Sequence, residues 1–173
     1  PYPPVFEECF IAGDTIAVKR HGERLDIYEY DQDLDDYERI QILRDSFHSM
    51  SFDPEYLVSS GLSRWDEDLE SWCYQPNSTV YRREDTNQTY TVHQQIDLTS
   101  YGGCVSPTAG FYQTASSLHR DMLVVGGVNT THIFIENSND HKWEEALILD
   151  QSYEDYQVSR RDLLVIAHNE TTK

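Results

Sequence analysis

Ser152-Tyr153, Tyr156-Gln157-Val158-Ser159 and Asp162-Leu163-Leu164-Val165-Ile166 give an aromatic, a short strand, a turn acid and an apolar strand, in that order. The same landmarks stand at Tyr112, Ala115-Ser116-Ser117-Leu118 and Asp121-Met122-Leu123-Val124-Val125. They stand again at Ser46-Phe47 with Tyr56-Leu57-Val58, and at Phe6 with Asp14-Thr15-Ile16-Ala17-Val18. The turn positions are 42 residues apart from Asp14 to Tyr56 and 41 apart from Asp121 to Asp162. A period of this size matches a unit of four short strands, the blade of a β-propeller. The spacing therefore predicts an all-β chain of antiparallel four-stranded blades, about three and a half of them.

Each unit reads as four strands. In the third, Gln113 to Leu118 carries the small polar residues suited to a crowded axis, and Met122 to Gly126 is an apolar run bounded by turns. Thr131 to Glu136 follows, then the turn residues Asn137-Ser138-Asn139-Asp140, then Trp143 to Leu149. An aromatic opens the fourth strand each time: Tyr37, Tyr90, Trp143. No stretch carries the caps and stripe of a helix. The expected division is one propeller segment over 1–173, with units near 1–45, 46–99, 111–150 and 151–173. A ring needs more blades than this. The chain, which starts at Pro1, is therefore expected to be completed by the rest of a larger polypeptide or by other subunits.

The distance from Tyr56 to Asp121 is 65 residues, so the second unit carries extra chain. The excess falls at about 61–76, between strands 2 and 3, and at about 99–110, before the next strand 1. Alternate turns of an antiparallel blade share a side, so both insertions leave the same face. Each holds one cysteine, Cys73 and Cys104, and a disulfide between them is expected in an oxidising compartment; two free thiols are the alternative. Cys9 is either a small thiol packed in the first strand or a partner for a residue elsewhere.

Four of the six asparagines begin an Asn-x-Ser/Thr triplet: Asn77, Asn87, Asn129 and Asn169. Such triplets are N-glycosylation acceptors in secreted proteins, so N-linked glycans and an extracellular location are expected. Asn77, Asn129 and Asn169 are expected between strands 2 and 3 of successive units, on the face bearing the insertions. A net charge of −18 argues against nucleic acid and anionic membranes as partners. No apolar run is long enough to cross a bilayer, so membrane insertion is not expected.

The arrangement of Ser152-Tyr153 with Asp162-Leu163-Leu164-Val165-Ile166-Ala167, and of Val124-Val125-Gly126-Gly127 with His132-Ile133-Phe134-Ile135-Glu136 and Trp143, resembles FG-GAP-like repeats. Those repeats build the propellers of integrin α-subunit heads, and the resemblance implies the same fold and a cell-adhesion or structural role. The sequence departs from the pattern where Phe47, Tyr112 and Tyr153 precede His48, Gln113 and Glu154 rather than glycine. The full calcium loop of the family is also missing.

Chemistry is sparse. Asp31, Asp33 and Asp35 alternate as calcium ligands do, but the glycine and distal glutamate of a calcium loop are lacking, so a solvated hairpin is preferred. Trp65 and Trp72 in the first insertion are either a ligand or partner platform or the cover of a small local core. The seven histidines show no metal-binding spacing. Along the strands that would line the channel, Glu7, Glu8, Glu154 and Asp155 have no base or nucleophile placed beside them by sequence. The expectation is a non-enzymatic, acidic, secreted glycoprotein, a structural or adhesive propeller unit of an extracellular assembly. The alternative is a carbohydrate- or ligand-binding module using Trp65 and Trp72.

Overall fold

The computed structural model describes residues 6–20, 24–44, 49–84, 88–105, 116–151, 155–159 and 162–166. Its first sheet holds β1 (Phe6–Ala12), β2 (Thr15–Arg20), β3 (Arg24–Asp31) and β4 (Asp36–Arg44) in that spatial order. The second holds β5 (Ser49–Phe52), β6 (Tyr56–Asp66), β7 (Ser71–Arg83) and β8 (Tyr90–Ile96), with a short β9 (Gly103–Val105) added against β7. The third holds β10 (Ser116–His119), β11 (Met122–Gly126), β12 (Thr131–Glu136) and β13 (Trp143–Leu149). A final pair, β14 (Asp155–Ser159) and β15 (Asp162–Ile166), makes half a blade. All pairings are antiparallel, and the chain is an all-β propeller segment.

The first strands lie side by side along the hub. Ser51 Oγ is 3.0 Å from Ser116 Oγ, the Ser116 amide donates to Ser49 Oγ at 3.1 Å, and the Val158 amide donates to Ser117 Oγ at 3.2 Å. Serines suit this place because large side chains from several blades would collide there, while hydroxyls tie neighbouring strands together. The second strands are apolar without alternation because a blade lies on each side of them. In β11, Leu123, Val124 and Val125 are all fully buried. Leu123 and Val125 pack with Val58, Val80 and Tyr56 of the second blade, whereas Val124 and Ile133 pack with Val158 of the half blade. The first and second blades meet through Ala17, Leu25, Ile27, Met50, Leu57, Tyr81 and Tyr90.

Each third strand has a register shift against the fourth at the same place: Ile27/Tyr28, Val80/Tyr81 and Ile133/Phe134. The bulge aligns the blades residue by residue and explains a second repeat. Gln41 of β4 accepts the Tyr90 amide at 2.7 Å and donates to the Tyr90 carbonyl at 2.7 Å. Gln94 of β8 does the same to Trp143, at 2.7 and 2.9 Å. In both cases a glutamine on the outer strand of one blade satisfies both backbone groups of the aromatic that opens the outer strand of the next. The aromatic recurs because it is buried in the inter-blade seam: Tyr90 is 1% and Trp143 3% exposed.

The 61–76 insertion, expected as a loop, is a two-stranded ribbon. β6 and β7 stay paired out to Asp66↔Ser71, with a shift between Ser60 and Leu62. Consequently Asn77 sits inside β7 and not in an inter-strand connection. The described part of the second insertion forms a 3-10 turn at Thr99–Tyr101 and then β9, whose Cys104 lies opposite Cys73. The two insertions do leave one face and pair there. Cys9, on β1, is exposed and free.

Candidate functional site at the seam of the second and third blades

A polar construction on the insertion-bearing face lies where β7, β9 and the 3-10 turn meet the turn joining β11 to β12. The turn is held by the Gly127 amide donating to the Thr130 carbonyl at 2.7 Å and by Val128 donating to Tyr101 at 3.2 Å. Gly127 leaves room for this closure, since a Cβ there would stand 2.6 Å from Thr130 Oγ1. A side chain at Gly102 would meet the Tyr74 carbonyl at 2.6 Å, so that glycine lets the connector cross β7. The disulfide between Cys73 and Cys104 fixes the connector to the ribbon.

Under this cover lies His132, fully buried on β12. Its Nδ1 is 2.7 Å from Glu145 Oε1 on β13, and its Nε2 is 2.9 Å from Thr130 Oγ1. An ionised carboxylate only accepts, so Nδ1 carries a proton, and in the neutral ring Nε2 then accepts from the Thr130 hydroxyl. Tyr101 closes edge-on over the ring with centroids 4.2 Å apart. The carboxylate fixes the tautomer, and the ring in turn presents a lone pair to a hydroxyl, an arrangement that can draw a proton from an attacking oxygen. Glu145 is exposed and Thr130 half-buried, so the chain of bonds runs from solvent through the buried ring to the rim of the turn.

On the opposite face the same seam holds a second network. Tyr56 donates its hydroxyl to Glu136 at 2.5 Å, and Glu136 also pairs with His141 Nδ1 at 2.6 Å. Burial, the Glu136 hydrogen bond and its charge push the Tyr56 phenol far above its ordinary value, so it stays neutral. Asp53 begins the turn into β6 by accepting the amides of Glu55 and Tyr56, each at 2.8 Å. Burial raises its pKa against the opposing pull of those amides.

The residues singled out from sequence are scattered around this seam. Asn129 is exposed in the β11–β12 turn, three residues from His132. Asn77 is exposed, but its side chain is engaged, accepting the Leu98 amide at 2.8 Å and donating to Thr99 Oγ1 at 3.1 Å. Asn87 and Asn169 lie outside the described residues. Trp65 and Trp72 are cross-strand partners in the register of the ribbon. Asp31 turns its carboxylate inward onto the amides of Asp33 and Leu34, at 2.8 and 3.3 Å. Asp35 accepts the Tyr30 hydroxyl, and the Asp33 amide is one of those that Asp31 binds. The same turn recurs at Asp66 and Asn137, each accepting the amide two residues on. Among the described residues no group of three His, Cys, Asp or Glu side chains is placed to hold a metal ion. Of the channel carboxylates, Glu8 pairs with Lys19 at 3.1 Å.

The His132 relay and the two glutamine clamps were not anticipated. The clamps had a signal, a glutamine four residues after Tyr37 and after Tyr90. His132 had none, because Thr130, Glu145 and Tyr101 join it only in three dimensions.

No protein-family profile matches the chain, and no curated protein does. Among solved structures, the chain is similar to a "putative 6-phosphogluconolactonase" of Bacteroides fragilis NCTC 9343. The TM-score is 0.51 at 12% identity, over 84% of this chain and 39% of that one. It is also similar to a periplasmic gluconolactonase of Pseudomonas aeruginosa, with a TM-score of 0.47 at 9% identity, over 96% of this chain and 44% of that one. The chain thus spans about two fifths of the length of each. These findings correct three expectations. The FG-GAP-like, integrin-type assignment does not hold, because the apolar ribbons that suggested it are what any four-stranded blade requires. The non-enzymatic structural or adhesive role, with its ligand-binding alternative, loses its basis, since the propeller that the chain resembles is described as an enzyme. The expectation that the chain is not an enzyme is corrected on the same ground.

Proposed function

We propose that this chain is part of a β-propeller hydrolase of the lactonase type that works in an oxidising, extracytoplasmic compartment. The observation that carries the reading is the structural likeness to a propeller described as a 6-phosphogluconolactonase, over 84% of this chain. Opening a lactone requires an oxygen nucleophile, a base to take its proton and relief of charge on the carbonyl oxygen. The Glu145–His132 pair supplies the base: Nε2 stands 2.9 Å from Thr130 Oγ1, takes that hydroxyl's proton as the oxygen adds to the lactone carbonyl, and returns it to the ring oxygen as the ring C–O bond breaks; water, deprotonated by the same nitrogen, then hydrolyses the Thr130 ester and frees the hydroxy acid. Export is supported by the Cys73–Cys104 disulfide and by the four acceptor triplets. Secretion with glycans on Asn129 belongs to the same reading.

The test is acid release on addition of glucono-lactone and its 6-phosphate, followed at constant pH against spontaneous opening. Opening no faster than the buffer rate for any lactone tried refutes the hydrolase reading. His132→Gln separates the two parts: lost turnover with an unchanged near-ultraviolet spectrum supports the relay, and full turnover removes His132 from the mechanism while leaving the class intact.

A further inference from the structure

Aligning the blades on their shared bulge makes Tyr28, Tyr81 and Phe134 equivalent, and likewise Asp26, Thr79 and His132. Tyr81 packs toward the first blade and Phe134 toward the second. Tyr28 and Asp26 therefore stand on the face of the first blade that, in the other two, meets the preceding blade. Cross-strand partners share a face, which places Cys9, Val18 and Ile42 beside Asp26, and Ile11 and Ile16 beside Tyr28. Ile11 is 70% and Ile42 40% exposed, and Cys9 is an exposed free thiol.

Two devices that join the blades elsewhere are turned inward here. Tyr37, the equivalent of Tyr90 and Trp143, gives its amide to the carboxylate of Asp36 rather than to a glutamine, and it is 41% exposed. Tyr30 occupies the place from which Arg83 reaches back to Glu29 at 2.5 Å, and where Glu136 accepts Tyr56; Tyr30 instead bonds to Asp35 of its own hairpin. Asp26, fully buried, gathers Arg20 at 2.5 Å, Arg24 at 2.6 Å and Arg39 at 3.8 Å, which among the described residues leaves a surplus of positive charge on this face of a chain of net charge −18.

We propose that this face docks a further four-stranded blade of the same repeat type, in the same ring. That blade would carry a glutamine at the Gln41/Gln94 position to clamp Tyr37, and carboxylates opposite the arginines. A second copy of the chain fits less well, because Gln41 and Gln94 are already engaged and the equivalent position in the third blade is Leu147. The inference rests on the fold and stands whether or not the chain is a lactonase.

The experiment extends the 173-residue chain at its start with a copy of its own second blade, residues 49–98 bearing Cys73→Ser, through a flexible linker of about ten residues. Cys9 is then the only free thiol. Maleimide labelling of Cys9 is expected to slow by about tenfold or more, and exchange of the Tyr37 amide to slow with it. Placing Gln94→Ala in the added blade should restore Tyr37 exchange while Cys9 stays covered. A second extension, with residues 6–44 bearing Cys9→Ser and carrying Gln41, guards against one blade failing to fold. Labelling at the unextended rate with both added blades overturns the proposal. So does an unextended chain that dimerises and covers Cys9 by itself, which would make a second copy the occupant.

Discussion

Gln94 offers the sharpest test of how the blades are held together. Its amide satisfies the Trp143 N–H and C=O at 2.7 and 2.9 Å, inside a seam where Trp143 is 3% exposed. Removing a partner from a buried backbone group costs about 1–3 kcal/mol, because the group loses its bond without regaining water. Gln94→Ala abandons two such groups and should cost about 2–4 kcal/mol, allowing for partial relaxation. With an m-value of about 2–3 kcal/mol/M in urea, the unfolding midpoint should fall by about 1 M. Gln94→Glu refines the test. At pH 7 its carboxylate still accepts the Trp143 amide but faces the carbonyl with a lone pair. Once protonated, it can donate to that carbonyl and restore both bonds. Its folded pKa is therefore raised above the unfolded value of about 4.3, and the recovered stability is present below that value and lost as pH rises through the folded one. Urea titrations of native, Ala and Glu proteins at pH 4 and pH 7 check this, read against the native protein at each pH. An Ala variant within about 0.5 kcal/mol of native, or a Glu deficit that does not change with pH, would refute the clamp as a joint between blades.

Breaking the Cys73–Cys104 bond by Cys104→Ser should cost about 3–4 kcal/mol on loop-entropy grounds for a separation of 31 residues, read as a thermal shift that reductant abolishes in the native protein only. Leu123→Ala removes a fully buried side chain between the second and third blades and should cost about 2–5 kcal/mol in urea unfolding, with Ile148→Ala, half-exposed on β13, near neutral. The Asp26 carboxyl is pushed up by burial, but its hydrogen bonds to Arg24 and Arg20 prevail and hold it below the ordinary range. Its contribution is therefore present above an unfolded pKa of about 3.9 and lost as pH falls through the folded value, so native and Asp26→Asn proteins should differ by about 1–3 kcal/mol at pH 7 and converge toward pH 2.

The sequence by itself determined the blade. Apolar runs such as Met122 to Gly126, bounded by turn residues such as Asp121 and Asn129, admit few arrangements besides short antiparallel strands, and a regular return of such runs leaves little besides stacked sheets. Local chemistry was equally legible, because an Asp or Asn that binds the amide two residues on needs only its own turn. What the sequence could not determine was which residues meet across a seam. His132 is fully buried beside Glu145, Thr130 and Tyr101 because the connector of one blade lies over the turn of the next, a contact with no periodic trace. The 61–76 stretch became a ribbon and not a loop because β7 found partners on both sides, β6 and β9, and backbone groups paired across strands need no particular side chain. The family resemblance failed for the same reason. Strand periodicity reports that a side chain is buried, whereas the identity of what buries it is settled by the packing of one blade on another.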